Sequence, residues 1–125
     1  MTTKIAIAGA KGRMGENLIR SGLSNQNTQI VGIFDVTDID ETFLKKVGLP
    51  NTVKTSQEES FIAADAIIDF TSPPALFSFT ESAVANNTSL IVGTTGLEKK
   101  HFKLLEQAGK SVKVFYAPNM SFGVN

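Results

Sequence analysis

Short apolar runs alternate along the chain with longer segments in which apolar residues recur about once per helical turn. Several of the apolar runs, such as "AIIDF" and "SLIVG", are continuous and do not alternate with polar residues. Continuous runs are typical of strands that are covered on both faces, as in a parallel sheet. The predicted strands are residues 4–8, 29–34, 52–55, 66–70, 89–92 and 112–117.

Helices are predicted in the gaps between these strands. Ser56 followed by Glu59 fits a capping box, and Ser72-Pro73 fits an N-cap with proline in the first helical position. The predicted helices are 13–23, 40–47, one beginning near 57, one running from 73 to about 86–87, and one at about 98–109, in which Phe102, Leu105 and Ala108 are expected to be buried.

The repeated order of strand, helix and strand predicts a single α/β domain. We expect a Rossmann-type, doubly wound parallel sheet of about six strands, with helices on both faces. In such sheets ligands bind beyond the carboxyl ends of the strands, where the strand order reverses. The residues that follow the strands are therefore the candidates for function.

Composition excludes several classes of protein. The 125 residues are 42% apolar and 19% charged, as in an ordinary globular domain, and the net charge is zero. A duplex nucleic-acid binder usually has a basic excess, so we expect no nucleic-acid partner. No apolar run is long enough to span a bilayer, and the N-terminus does not resemble a secretory signal. The absence of cysteine removes disulfides and thiolate metal sites. We expect a cytoplasmic protein without a metal site or a membrane partner.

A glycine-rich turn lies in "IAIAGAKGRMGENLIR", where Gly9, Gly12 and Gly15 are three residues apart between a strand and a helix. A tight turn favours glycine at Gly9, a side chain at Gly12 would keep phosphates away, and one at Gly15 would displace the helix. Amides at a helix N-terminus bind pyrophosphate well. This is the logic of the dinucleotide fingerprint, although the spacing is G-x-x-G-x-x-G. The alternative is a glycine-rich turn that binds nothing.

Asp35 ends the second predicted strand, in "IVGIFDV". An acidic residue about 20 residues past the fingerprint typically binds the ribose hydroxyls of the adenosine. Asp35 therefore favours NAD, because a 2′-phosphate would meet like charge, although Lys11 and Arg13 could offset that repulsion. The alternative is that Asp35 only begins a solvated turn with Asp38 and Asp40.

Three later strands exit through "DFTSPP", "VGTTG" and "FYAPNMSFGVN". Taken alone, the first two could be a capped proline turn and a glycine-bounded turn. In the third, Pro118 disfavours helical backbone at Ala117, and the segment is too apolar for an ordinary surface loop. Together the three exits are expected to line one edge of the sheet, beside the glycine-rich turn.

Four segments, "GAKGRMG", "IIDFTSPP", "VGTTGL" and "APNMSFGVN", together resemble the dihydrodipicolinate reductases, also called 4-hydroxy-tetrahydrodipicolinate reductases. The resemblance covers almost the whole chain, with the segments in the same order. It implies an enzyme of lysine and diaminopimelate biosynthesis. Such an enzyme uses NADH or NADPH to reduce the cyclic product of the preceding synthase to tetrahydrodipicolinate.

The same resemblance implies which residues bind the cofactor. Asp35 corresponds to the ribose-binding acid, and Val36 stands where the family often has an arginine that suits NADPH, so NADH is favoured. Phe70 would pack near the cofactor, and the later loops would contact its nicotinamide end. The implied cofactor-binding residues are Gly9, Ala10, Lys11, Gly12, Arg13, Met14, Asp35, Phe70, Gly93, Thr94, Thr95, Ala117, Pro118, Asn119 and Met120.

The resemblance also implies what this chain lacks. Family members continue after "SFGVN" into a second domain, with a histidine-rich stretch, a catalytic lysine and a Ser-Gly-Thr loop that grips substrate carboxylates. None of these occurs in the present sequence, so no catalytic residue is assigned. We expect residues 1–125 to be the dinucleotide-binding domain, which binds a nicotinamide dinucleotide but does not turn over alone. Substrate would be held mainly by the second domain, and the full-length protein would be a homotetramer.

Two residues of types that are common in catalytic sites, His101 and Tyr116, are assigned no catalytic role. His101 lies beside Lys99, Lys100 and Lys103, and we expect it on a solvated helix face. Tyr116 lacks the lysine four residues later that short-chain dehydrogenases use, and is expected to pack beside its strand end.

Two other functions fit the same fold. One is a non-enzymatic nucleotide sensor, and the other is the cofactor domain of an aspartate-semialdehyde or homoserine type of dehydrogenase.

Overall fold

The computed structural model describes residues 2–118, which form five strands and five α-helices. The strands are β1 Thr3–Ala8, β2 Thr28–Phe34, β3 Ala66–Asp69, β4 Ser89–Val92 and β5 Val114–Tyr116. The helices are α1 Arg13–Leu23, α2 Glu41–Val47, α3 Gln57–Ala63, α4 Leu76–Asn86 and α5 Lys99–Ala108, and a 3-10 turn, Pro73–Ala75, precedes α4. Within residues 2–118 no helix is long and apolar enough to cross a bilayer.

All five strands are parallel, in the order β2-β1-β3-β4-β5. The chain adds β2 on one side of β1 and then β3, β4 and β5 on the other, so the direction of winding reverses at β1. This confirms the doubly wound α/β fold. Because the strands are parallel, every strand exit lies at one edge of the sheet, and the reversal point lies between the β1 and β3 exits.

The strand predicted at residues 52–55 does not form. Its backbone turns, with the Val53 amide donating to the Pro50 carbonyl at 3.3 Å, and only Lys54 makes an isolated bridge to Gly32. The alternation of apolar and polar residues over four positions is too short to distinguish a strand from a turn that touches the sheet edge. The described residues therefore have five strands, where about six were expected.

A β-bulge interrupts β2 beside Val31. Ile5 pairs with Ile30, but Ala6 pairs with Gly32, so Val31 has no partner in β1. The Val31 carbonyl instead accepts from the Lys54 amide at 2.9 Å. Val31 packs against the core on the α3 side, and Gly32 closely approaches Ser60 of α3, so two successive residues point to the same face.

Apolar residues cover both faces of the sheet, which explains the continuous apolar runs. One core cluster lies beneath α3, α4 and α5, where Phe34, Phe61 and Phe79 form three ring contacts with centroids 5.7–6.1 Å apart. The other cluster lies beneath α1 and α2 and includes Ile7 and Ile19. Two helical layers around one sheet therefore support the strand exits.

The helix boundaries largely follow the sequence pattern. α1 has the predicted bounds, and Ser56 caps α3 by accepting from the Glu59 amide. α4 ends before Asn87, which has a left-handed backbone (φ 53°), as the stop signal predicts. Ser72 makes no side-chain cap, because the 3-10 turn at Pro73–Ala75 intervenes before α4 begins.

The expected burial in α5 is wrong at two positions. His101 is only 4% exposed, whereas Phe102 is 43% exposed, although Leu105 is buried as expected. The His101 ring turns inward because its Nδ1 accepts from the Glu98 amide at 2.9 Å and its edge meets the Phe77 ring. Phe102 instead packs edge-on against Tyr116, with centroids 5.2 Å apart. His101 is thus a buried capping residue and not part of a solvated face.

Candidate functional site

The glycine-rich turn connects β1 to α1 at the reversal point of the sheet. Gly9 has φ +81°, a backbone conformation that favours glycine. A Cβ at Gly9 would also lie 3.1 Å from the Phe70 carbonyl oxygen and 3.2 Å from Thr71 Cγ2. The turn is therefore tight, and it lies directly against the β3 exit.

Gly12 and Gly15 differ in what the fold requires of them. A Cβ at Gly15 would overlap the Gly9 carbonyl oxygen and lie 2.8 Å from Ala10 Cα, so α1 packs on the turn only because Gly15 has no side chain. A Cβ at Gly12 would meet nothing closer than 3.4 Å. The backbone of Gly12 (φ −75°, ψ 167°) is extended, and any residue can adopt it. Packing therefore explains Gly15 but gives no reason for glycine at position 12.

Most amides of the turn already have acceptors within the protein. Gly9 and Ala10 both donate to the Phe34 carbonyl, Lys11 donates to Asp35 Oδ2 at 2.8 Å, and Gly12 donates to the Gly9 carbonyl. α1 has no side-chain cap, because its N-cap residue is Gly12. The amides positioned for an anion are therefore those of the first turn of α1, beginning with Arg13.

Asp35 follows β2 and joins the β2 exit to the glycine-rich turn. Its carboxylate accepts from the amides of Lys11 (2.8 Å) and Val36 (2.7 Å). The Lys11 ammonium crosses to the same loop and donates to Thr37 Oγ1 (3.0 Å) and the Asp38 carbonyl (2.6 Å). Lys11 thus binds the loop after β2 through both its amide and its ammonium, and its amide contacts the Asp35 carboxylate.

A cleft opens between these two exits and the β3 exit. Its lining includes Gly9, Gly12, Asp35, Phe70 and Thr71. A narrower cavity on the α3–α4 side shares part of this lining and also contacts Gln57 and Phe79. Val36, which is 96% exposed, lines both. The cleft thus has glycine backbone on one wall and a carboxylate on another.

The β3 exit carries a buried carboxylic acid that the sequence reasoning left without a role. Asp69 is fully buried, and its Oδ1 accepts from the Thr71 amide (2.8 Å) and the Thr71 hydroxyl (2.6 Å). Burial raises the pKa of Asp69, and the hydrogen bonds from Thr71 and Thr94 oppose that rise. The available signal was the single polar residue within the otherwise apolar run "AIIDF".

The β4 exit packs closely on the residue after Asp69. The Gly93 amide donates to the Asp69 carbonyl at 2.8 Å, and the Phe70 ring lies directly over Gly93. Thr94 is buried and Thr95 is exposed. The loop "GTT" therefore emerges at the same edge as the glycine-rich turn, as expected.

The β5 exit continues along that edge. The Ala117 amide donates to the Val92 carbonyl at 2.8 Å, so Ala117 extends the line of strand ends, and Pro118 is half-buried beside it. The remaining two residues expected there, Asn119 and Met120, lie outside the described residues.

The expected site residues in the described part of the chain thus follow the carboxyl ends of all five strands described. Lys11, Gly12 and Arg13 are exposed to solvent. Ala10 is buried, and Met14 is half-buried against the core. Among residues 2–118 no group of three acidic or histidine side chains could hold a metal ion.

The sequence matches the profile of a family described as "Dihydrodipicolinate reductase, N-terminus" over residues 3–120. The 4-hydroxy-tetrahydrodipicolinate reductase of Burkholderia lata is 38% identical over 98% of this chain and 48% of its own length. The enzyme of the same name from Rickettsia akari is 37% identical over 97% of this chain and 44% of its own length. The chain therefore spans about half the length of these curated relatives.

Solved structures agree on the fold. A dipicolinate-bound dihydrodipicolinate reductase from Paenisporosarcina sp. TG-14 superposes with a TM-score of 0.72 at 27% identity, over 95% of this chain and 48% of that one. GenD2 of gentamicin A biosynthesis, solved in complex with NAD, gives a TM-score of 0.74 over 94% of this chain and 35% of its own. At 14% identity, that second likeness shows the fold alone.

Proposed function

The chain belongs to the dihydrodipicolinate reductase family, and from that premise we propose that it is the NAD(P)H-binding domain of an enzyme that reduces the dihydrodipicolinate precursor to tetrahydrodipicolinate. Lysine and diaminopimelate biosynthesis use this reaction. The proposal concerns a domain, because the chain spans about half the length of its relatives. Binding of the dicarboxylate substrate is assigned mainly to a second domain.

The contrast between Gly12 and Gly15 is the observation that carries the cofactor proposal. Packing accounts for the absence of a side chain at Gly15, but around Gly12 there is room for one. Close approach of a ligand to the backbone is a sufficient reason for glycine at the N-cap of α1, where the helix dipole favours a pyrophosphate. In this proposal the pyrophosphate contacts the first turn of α1, beside Arg13.

The adenosine half of the cofactor is assigned to the cleft beside β2. Asp35 would accept from the ribose hydroxyls, and the exposed Val36 would contact the adenine ring. The side chain of Asp35 already receives two amide hydrogen bonds, which hold its carboxylate in place before any ligand binds. Its negative charge favours NADH, and the ammonium of Lys11, which is bound to the loop that follows Asp35, keeps NADPH as an accepted, weaker ligand.

The nicotinamide half is assigned to the exits of β3, β4 and β5. Phe70 would pack near the cofactor, and Gly93, Thr94 and Thr95 would contact its nicotinamide end. The segment from Ala117 through Met120 is assigned to the same end. A bound nicotinamide supplies a hydride. The residues at these strand exits would orient the nicotinamide ring and exclude water. No described side chain is assigned to proton donation, so the domain alone should not turn over.

Isothermal titration of the 125-residue chain with NADH and NADPH tests this function. We expect saturable binding of both, tighter for NADH, and no reduction of dihydrodipicolinate by the chain alone. The absence of binding at millimolar cofactor would overturn the cofactor proposal. Turnover by the chain alone would overturn the assignment of substrate chemistry to a second domain.

A further inference from the structure

A buried acid stands at the carboxyl end of the central strand. Asp69 pairs with Ala8 of β1 on one side and Val92 of β4 on the other, so it lies between the last residues before two site loops. Its side chain is fully buried, and among residues 2–118 no group hydrogen-bonds to its Oδ2. Burying a carboxyl group with one oxygen unpaired costs stability, and an apolar residue at this position would avoid that cost.

The two short hydrogen bonds that Oδ1 of Asp69 accepts both come from one residue of the site. Thr71 donates to Oδ1 through both its amide (2.8 Å) and its hydroxyl (2.6 Å), which fixes the backbone and the side-chain rotamer together. With its rotamer fixed, the Thr71 methyl, Cγ2, faces Gly9, 3.2 Å from where a Cβ would stand. The carboxyl thereby fixes the position of Thr71 beside the glycine-rich turn.

The main chain of Asp69 holds the loop on the other side. Its carbonyl accepts from the Gly93 amide at 2.8 Å and from the Thr94 hydroxyl at a longer 3.4 Å. One residue is therefore connected to the turn assigned to the pyrophosphate and to the loop assigned to the nicotinamide. A dinucleotide must reach both at once, so their separation matters for binding.

We propose that Asp69 is a positioning residue for the dinucleotide site, whose carboxyl fixes Thr71 against Gly9 while its carbonyl fixes Gly93 and Thr94. This inference rests on the proposed cofactor function of the chain. Asp69 touches no ligand itself, because both of its carboxyl oxygens are covered by protein. Its effect reaches the cofactor through Thr71.

Two substitutions at Thr71 separate the hydroxyl from the methyl group. Thr71→Val retains the shape, the methyl facing Gly9 and the amide donor to Asp69, but it removes the hydroxyl donor. Thr71→Ser removes the methyl and retains the donor. Thr71 is a better test position than Asp69, because a truncated Asp69 leaves a cavity in the central strand and risks unfolding the domain.

We expect Thr71→Val to weaken NADH binding about tenfold, because a hydrogen bond to a buried carboxyl is lost. The conservative Thr71→Ser should restore most of the affinity, to within about threefold of wild type. The NADH affinities of both variants are measured by calorimetry, at a temperature at which circular dichroism shows that each protein is folded. If Thr71 acts only as a steric wall, the order reverses, and Thr71→Ser becomes the weaker binder. That reversal, or equal affinities, overturns the proposal.

Amide hydrogen exchange without cofactor provides a readout that does not depend on binding. We expect the Gly9 amide to exchange faster in Thr71→Val than in Thr71→Ser, because the Asp69 carboxyl no longer fixes the side chain at position 71 beside Gly9. If NADH binds equally to all three proteins, the cofactor function stands and the role of Asp69 falls. If wild type binds no NADH but Gly9 exchange still follows the hydroxyl, the cofactor function falls while the link between Asp69 and the turn stands.

Discussion

The Phe70 ring occupies the space that a side chain on Gly93 would need. A Cβ built on Gly93 would overlap Cε1 and Cζ of the ring and lie 2.9 Å from Cδ1. The β3 and β4 exits therefore fit together only as this large and small pair. An aromatic ring lying on a glycine also presents a flat surface at the edge assigned to the nicotinamide.

Gly93→Ala should destabilise the domain by about 1–3 kcal/mol, since overpacking forces the ring or the strand end to move. Adding Phe70→Leu provides space for the new methyl group, so the two changes should not be additive. Urea unfolding of both single variants and the double variant measures the coupling, expected at about 1 kcal/mol or more in favour of the double variant. Additive effects would mean that the ring does not confine position 93.

Gly12→Val should lower the affinity for NADH more than about hundredfold. The fold should stay intact, because the valine blocks only the approach of a ligand. Its stability should stay within about 1 kcal/mol of wild type, the range of N-cap substitutions. Calorimetry with NADH and thermal unfolding by circular dichroism measure the two properties. Full affinity in a folded Gly12→Val variant would place the phosphates elsewhere.

Gly15→Ala is expected to lower stability more than Gly12→Val, because Gly15 is confined by the fold. Alanine in a helix is favoured over glycine by about 1 kcal/mol, but the overlap with the Gly9 carbonyl outweighs this preference. We therefore expect a net loss of about 2 kcal/mol or more in the free energy of unfolding. A gain in stability would show that α1 can shift on the turn without cost.

Asp35→Asn should lower the ratio of NADH affinity to NADPH affinity roughly five- to tenfold, since the charge that repels a 2′-phosphate is removed. Asp38→Asn is the control, because only the main-chain carbonyl of Asp38 contacts Lys11. Parallel titrations with both cofactors give the ratios. An equal change in both variants would indicate general charge repulsion and not a ribose contact at Asp35.

The raised pKa of Asp69 predicts how stability depends on pH. The unfolded chain loses this proton near the ordinary value of 3.8, while the folded protein retains it to higher pH. The contribution of the Asp69 proton to the free energy of unfolding is therefore complete below the pKa of the unfolded chain. It is lost as the pH rises through the pKa of the folded protein. The asparagine of Asp69→Asn cannot ionise. The difference in the free energy of unfolding between wild type and this variant should therefore shrink from about pH 3 upward and then level off. A difference that stays constant in urea unfolding across that range would show an unshifted pKa.

His101→Ala should lower the free energy of unfolding by about 1 kcal/mol, because the Glu98 amide loses its acceptor at the start of α5. His101→Gln retains an acceptor in that position and should recover part of the loss. Neither change should alter NADH affinity, since His101 lies on α5, away from the cleft lining. A weakened cofactor affinity in a stable variant would bring His101 into the site.

Sequence patterns predicted the order of elements well, because parallel strands and capped helices leave local signals. α1 and β4 have the predicted bounds, and Asn87 ends α4. The misassigned burial in α5 depended in part on contacts distant in sequence. Whether His101 or Phe102 faces inward is decided by the ring of Phe77, 24 and 25 positions earlier, and by Tyr116.

Much of the candidate site was also predictable, because the strand exits of a parallel sheet must share one edge. The role of the Asp69 carboxyl was not, since only the folded chain shows which groups surround it. Nor does the pattern reveal that the amides of Gly9 through Gly12 are used within the protein. Three of these amides donate to Phe34 and Asp35, at the end of the neighbouring strand, and the Gly12 amide donates to the Gly9 carbonyl within the turn.

The extra residue in β2 decides on which side of the sheet the ribose-binding candidate lies. Beyond Val31, side chains alternate in the opposite phase, so Ile33 faces α1 and Asp35 faces Lys11 of the turn. Deleting Val31 would reverse that phase and direct the carboxylate toward α3. If Asp35 binds the ribose as proposed, nucleotide preference depends on strand length as well as on side-chain identity, and a one-residue deletion upstream removes that preference with Asp35 unchanged.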